Sequence, residues 1–449
     1  MRLISPASQS MRGPLLALGL SSLPLSAADF RVTTEADQLN RTCAAQCSLR
    51  DAVEAANRQG GANRIILPAG TYTLTLPPPL GEDYEILDDD ENQNGDLDVS
   101  GNIRLVGAGV DASIIDGNHT DRLFEVLAGA ELRVERVTLR NGRTSFYGAG
   151  IENHGLLTVR SSRLDNNFAA GMFQPGAGGG IANFGQLYLY NSTLQRNNSS
   201  AGEAYQGRGG GLFNAGDALV RDTTFSDNGA SDDDESGMGG GLYNKGNADV
   251  ARSAFINNWS AGSGAAISNH AVLKLSNSTL SGNNNIYSYY GGIFSNGHAY
   301  SFYNGAPDAT LIHVTIAGNF GGGLFNYGKL LLRNSLVSGN SDREDEESVN
   351  NCLNSGTEAT YQARGMLLGN GPGNCTAELY VENDQTFVTV LEPLADNGGM
   401  TQTHALRPAS PALDAAIGNC SSHDQRRAPR PLDGDGDGIA VCDLGAYER

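Results

Sequence analysis

Positive charge is scarce in this 449-residue chain: 30 Lys and Arg stand against 50 Asp and Glu, a formal net charge of -20 at pH 7. A field of that sign opposes nonspecific nucleic-acid binding, so no nucleic-acid partner is expected. Beyond the N-terminus the chain lacks any run of eighteen apolar residues, which argues against a transmembrane helix in the mature chain. Cysteine is sparse too, and Cys43, Cys47, Cys352, Cys375, Cys420 and Cys442 fall into three sequence-local pairs. No second Cys or His pair stands near Cys43 and Cys47 to complete a zinc site. The glycine-rich segments contain no repeated GxGxxG or P-loop framework, which removes the usual nucleotide-binding reading.

At the N-terminus, Arg2 and Arg12 flank the start of the apolar run "GPLLALGLSSLPLSAAD", which reads as a signal peptide over 1–28, cleaved before Asp29. A secreted protein is expected, with surface association as an extension of that reading. In an exported chain the six cysteines are most simply disulfides, with connectivity left open.

What the chain has in abundance is glycine, 59 residues, much of it in near copies of "GGGIANFGQLYLYNSTLQRNN". Aligned on one asparagine, the copies place Asn153, Asn183, Asn214, Asn244, Asn269, Asn296 and Asn326 at spacings of 25 to 31 residues. Four and six positions later come pairs such as Leu157 and Val159, Leu187 and Leu189, and Leu273 and Leu275, the period of two of a half-buried strand. A hydroxyl row follows (Ser162, Ser192, Thr223, Ser253, Ser278, Ser335), then an apolar row, then a corner row from Asn167 to Asn340. Stacked coils turn such rows into ladders, in which asparagine amides bond one another along the axis.

The expected fold is therefore all-β: a right-handed parallel β-helix with a short N-terminal capping helix and an irregular C-terminal cap. Its expected parts are a cap with first strands over 29–100, the β-helix over 101–392 and the C-terminal cap over 393–449. A propeller blade needs about 40 residues and four strands, more than this repeat holds.

The segment "CSLRDAVEAANRQGGANRIILPAGTYTL" puts Leu49, Val53 and Ala56 on one helix face, ahead of a strand. Together with "NGDLDVSGNIRLVGAG", it closely resembles the bacterial CSLREA domain, which implies an exported β-helix protein with an N-terminal cap. The motifs "GGGI", "GGGL", "FSDN" and "FINN" resemble the repeats of chlamydial polymorphic membrane proteins, which implies an adhesin. No series of alternating barrel strands follows the repeat, so self-transport by that route is not expected. In the tail, Asp433, Asp435 and Asp437, with Asp443 and the Ile439 carbonyl, suit oxygen coordination of a structural Ca²⁺. Leu444 occupies the position where an EF-hand carries its final acid, so the loop departs from that pattern.

No catalytic motif stands out, so catalytic residues are unassigned. The substrate-binding candidates are the outward residues Tyr188, Tyr190, Arg221, Arg252 and Lys274, with Tyr287, Tyr289, Tyr290, Tyr300 and Tyr303 from a tyrosine-rich insertion. Aromatic faces stack on sugars, and the cations suit carboxylates. The leading functional expectation is a secreted or surface-associated, adhesin-like protein recognising a glycan or another cell-surface component. The alternatives are a polysaccharide lyase or glycoside hydrolase and, beyond these, a structural envelope protein.

Overall fold

A computed structural model describes residues 27–81, 91–171, 174–202, 205–232, 236–286, 292–297, 306–341, 351–357 and 359–449. The segment expected to be a signal peptide lies outside the described residues through residue 26, as do 287–291 and 298–305.

One coil explains the rest. Gly178 opens it at φ +69°, where a Cβ would stand 2.4 Å from the Ile181 carbonyl oxygen, so glycine is required on both counts. Ile181–Asn183 then forms a strand, Phe184 and Gly185 turn the chain, and Gln186–Tyr190 forms the next strand. Asn191, at φ +47°, kinks the chain into Thr193–Gln195, and Arg196, at φ +53°, turns it into Asn198–Ala201. The following coil repeats the course with Leu212–Asn214, Asp217–Arg221, Thr224–Ser226 and Gly229–Asp232.

Strands of successive coils pair in parallel and in register: Leu187 lies between Leu157 and Ala218, and Asn183 between Asn153 and Asn214. Among the described residues they build three stacked sheets, with twenty strands (sheet A), ten (sheet B) and six (sheet C). Sheet A contains the Gln186–Tyr190 and Thr193–Gln195 rows, sheet B the strands ending on the first asparagine, and sheet C those following the second. The fold is a right-handed parallel β-helix. Its parallel pairing runs from Asp29–Arg31 to Leu379–Val381.

The interior consists of the expected ladders. Val159, Leu189, Val220, Val250 and Leu275 are fully buried, and Phe225 stacks on Phe255 with centroids 4.6 Å apart. Along the first asparagine ladder each Nδ2 donates to the next Oδ1 at 2.6–2.8 Å, from Asn153 through Asn354. The second ladder runs from Asn167 through Asn383 at 2.8–3.0 Å. Hydroxyls of the serine row accept from the preceding coil's backbone, as Ser278 Oγ does from Ser253 N at 3.1 Å. Buried polar groups are thereby satisfied along the axis rather than within one coil.

At the N-terminal end, Ser48 and Asp51 form a capping box for the helix Leu49–Gln59, whose Leu49, Val53 and Ala56 are buried. Arg50 on the same helix is fully buried: it pairs with Asp37 at 2.8 Å and donates to the Gly95 and Asp96 carbonyls at 2.7 Å. A guanidinium thus organises the loop that leads into Leu97–Val99.

The tail begins with an antiparallel hairpin, Leu391–Ala395 with Thr403–Leu406, and then runs back along the outer side of sheet A. Ala446 N bonds Thr315 Oγ1 at 3.0 Å, Thr279 Oγ1 bonds Gln425 Oε1 at 2.7 Å, and Arg427 reaches Asp222 at 2.7 Å. Disulfides join Cys43 to Cys47, Cys352 to Cys375 and Cys420 to Cys442.

Candidate functional site: an outward cleft on sheet A

Side chains alternate along each Gln186–Tyr190-type strand, so every second residue faces outward. Register across strands places Tyr188, Leu219, Asp249 and Lys274 in one outward row, with Tyr190 and Arg221 in the next and Gln186, Asp217 and Asn247 on the other side. Between these rows lies a cleft of about 520 Å³ whose polar lining comes from Gln186, Tyr188, Asp217, Asn247, Asp249 and Lys274.

Its groups are held by one another. Tyr188 and Tyr190 are nearly parallel with centroids 6.4 Å apart, and the Arg160 guanidinium lies 5.2 Å from the Tyr190 ring centre. Arg221 bridges Asp249 at 2.8 Å and also donates to its carbonyl oxygen at 2.6 Å. Asn247 donates to Asp217 at 2.8 Å. Lys274 is exposed and makes no ion pair among the described residues, which leaves its ammonium available to a ligand.

Of the expected candidates, Tyr188 and Lys274 line the cleft, while Tyr190 and Arg221 stand in the adjoining outward row. Arg252 does not line the cleft. It sits one position beyond the strand at φ +51°, where the kink turns its side chain onto Asp222 at 2.8 Å. Asp222 also takes Arg427 from the tail, so Asp222 ties coils to tail, and the Arg252 carbonyl accepts from Thr401 of the tail at 3.2 Å. Tyr287, Tyr289, Tyr290, Tyr300 and Tyr303 lie outside the described residues.

Of the expected calcium ligands, two come together with a third acid. Asp433 and Asp435 converge with Asp414, each offering a carboxylate oxygen within 4.8 Å of the others. Asp437 instead accepts from Ile439 N at 2.7 Å, and the Ile439 side chain is exposed. Asp443 is buried and accepts from the backbone amides of Asp414 and Arg449, with burial pushing its pKa up to about 7. Asp414 was not legible because nothing in sequence spacing links it to the glycine-rich loop.

Other titratable clusters have structural explanations. His313 is buried between Arg430 and Asn334, and burial holds its pKa down at about 3. Near the N-terminal end, Arg122 bonds Asp96 at 2.9 Å and Glu125 at 3.2 Å, and also pairs with Glu152. His154 bonds Glu152 at 2.9 Å and His270 bonds Ser268 at 2.9 Å, the corner hydrogen bonds their positions suggest. Sheet B carries an aromatic row that the repeat pattern does not announce, comprising Phe184, Phe213 and Tyr243. Its only signal was an aromatic residue beside the ladder asparagine.

No family model matches the chain, so the CSLREA and polymorphic-membrane-protein resemblances rest on the quoted motifs alone. No curated protein matches it either. Among solved structures it is similar to the crystal structure of pectate lyase Pel9A, at 16% identity and a TM-score of 0.45, over 95% of this chain and 97% of that one. It is also similar to the PL6 family alginate lyase AlyGC, at 13% identity and a TM-score of 0.33, over 89% of this chain and 58% of that one.

Proposed function

We propose that this chain is an elongated polysaccharide-recognition protein whose sheet A cleft receives sugar units. The observation that carries this reading is the composition of that cleft. Gln186, Asp217, Asn247 and Asp249 offer donors and acceptors for hydroxyls, Tyr188 an aromatic face, and Lys274 a cation for an anionic substituent. Adjoining strands repeat outward positions at about 4.8 Å, so a polymer lying across them meets an extended surface.

Cleavage within the same cleft, by a lyase or glycoside hydrolase, is the second reading. It is favoured by the Arg221–Asp249 pair standing beside Lys274, since a cation can neutralise a uronate carboxylate while a neighbouring carboxylate accepts a proton. With either reading go export of 29–449 and a Ca²⁺ held in the tail by Asp414, Asp433 and Asp435, whose oxygen donors suit a hard cation. Surface attachment and a purely structural envelope role are weaker extensions, because neither requires the cleft.

The test is a panel of neutral and uronate-rich polysaccharides, scored for retention of the purified chain, unsaturated products and new reducing ends. Retention without products supports recognition; unsaturated products or reducing ends replace it with the lyase or hydrolase reading. Absence of all three signals across the panel overturns both readings.

A further inference from the structure

Sheet B carries a second surface with different chemistry. The positions flanking its ladder asparagines are aromatic over several coils: Phe184 lies 5.8 Å from Phe213, which stacks on Tyr243 at 5.6 Å. Tyr147 meets Phe184 edge-to-face at 5.2 Å. His154 stacks on Phe184 at 4.9 Å and His270 on Tyr243 at 4.7 Å, so rings extend from the Asn153 coil to the Asn269 coil. At the usual strand spacing that row is about 19 Å long.

Over its centre lies a hollow of about 370 Å³, lined by Tyr147, Phe184 and Phe213 and bounded by Arg208 and Lys245. Arg208 lies over the Tyr243 ring at 5.6 Å and reaches Gln206 at 3.4 Å, while its buried Nε has no hydrogen-bond partner among the described residues. Neither Arg208 nor Lys245 has a carboxylate within ion-pair distance among the described residues. Glu152, on the same sheet, is already engaged by His154 and Arg122. Two cations with no carboxylate partner among the described residues stand beside an apolar hollow in a chain of net charge -20.

The lining also discriminates between ligands. It contains no Asp, Glu, Asn or Gln side chain, so a sugar's hydroxyls would lose water without gaining acceptors. A flat ring with one carboxylate loses nothing comparable: its face packs on the rings and its charge meets the cations. The volume is near the lower end for ligand sites, which suits a single ring. We infer that this hollow is a binding site for a planar aryl carboxylate, with its ring against Phe184 and Phe213 and its carboxylate toward Arg208 and Lys245.

The experiment titrates the purified chain with 4-hydroxycinnamate by calorimetry and saturation-transfer NMR, beside glucuronate and the neutral 4-hydroxycinnamamide. The expected result is binding of the aryl carboxylate, with glucuronate and the amide each weaker by about tenfold or more. Arg208→Gln and Lys245→Gln should each weaken binding by about tenfold, while Tyr188→Ala on sheet A leaves it unchanged. Lys245 is exposed, so its variant carries the test even where Arg208→Gln fails to fold. The inference is overturned by no binding through the millimolar range, by equal binding of glucuronate or the amide, or by affinity that survives Lys245→Gln. Loss in Tyr188→Ala alone would also overturn it, by moving the ligand to sheet A.

Discussion

Arg430 and Glu448 lie 3.0 Å apart with both side chains wholly removed from solvent, and the same guanidinium reaches His313 of the coils at 2.8 Å. It also donates to the Asp443 and Gly445 carbonyls at 2.8 Å. One side chain therefore holds the tail's final turns to each other and to the solenoid. Arg430→Gln should cost about 3 to 5 kcal/mol, because Glu448 would be left buried without its counter-charge. Limited proteolysis distinguishes the site of loss: cleavage should begin in 393–449 while the coils of sheet B persist. Uniform proteolysis along the chain would show that the tail and coils unfold together.

The response to acid where tail meets coils follows from two buried histidines, His404 of the tail and His313 of the coils. Burial holds His404 at a pKa of about 4 and His313 at about 3, both below the ordinary 6.5. The stability gained by keeping them neutral is complete above pH 6.5 and is lost as pH falls through those lower values. Asp443 acts in the opposite sense: raised from 3.8 to about 7, its contribution is complete below 3.8 and lost as pH rises through 7. A single-site comparison separates them. His404→Gln should be less stable than wild type at pH 7, with the difference shrinking between pH 6.5 and 4 in denaturant titrations. A constant difference across that range would show that His404 is not held neutral.

The asparagine ladder makes a positional prediction. Asn214 accepts from Asn183 at 2.7 Å and donates to Asn244 at 2.8 Å, with no exposure to water. Asn214→Ala strands a donor on one neighbour and an acceptor on the other, at about 1 to 3 kcal/mol for each group left unsatisfied. At Asn354, the last rung recorded, the same change strands only the donor of Asn326 and should cost less. Equal costs by chemical denaturation would mean that water replaces the lost amide at either position.

The solenoid was legible because each coil meets the same physical demand. Leu187 must lie over Leu157, and Asn183 over Asn153, so the repeat recurs in the sequence. Where coil length varies, the register is hidden: Asn319 follows Asn283 by 36 residues, and Asn351 follows Asn340 by only 11, yet all four belong to one ladder. The tail was less legible for another reason. Its contacts join residues such as Arg427 and Asp222, 205 positions apart, which no local pattern encodes. The cleft was partly legible, since outward alternation predicts which face Tyr188 and Lys274 occupy. It could not show that Arg252 lies past a left-handed kink and faces the tail.

A calcium ion in the tail has a direct consequence for stability. Asp414, Asp433 and Asp435 bring three carboxylates together, and a bound cation would offset their repulsion. Saturating Ca²⁺ should raise the melting temperature, by about 2.7 kcal/mol of added stability at one hundred times the dissociation constant. Asp433→Asn should abolish most of that response, and Asp443→Asn should weaken calcium affinity less, because both Asp443 oxygens already accept from the backbone amides of Asp414 and Arg449. Equal loss in both variants would return Asp443 to the ligand set.

The cleft and the kink give the sharpest functional contrast. Tyr188 and Lys274 line the 520 Å³ cleft, whereas Arg252 is bound to Asp222 outside it. Tyr188→Ala removes an aromatic face and Lys274→Gln a cation, so each should weaken polysaccharide retention by about tenfold with little change in melting temperature. Arg252→Gln should do the reverse: it lowers the melting temperature, because buried Asp222 loses one of its two cationic partners and keeps only Arg427, and leaves retention intact. Affinity electrophoresis with the best polymer from the panel reads the first effect and thermal melting the second. Should Arg252→Gln abolish retention while the fold survives, the polymer must cross the kink and touch the tail, and the binding face would move from the cleft toward the seam between coils and tail.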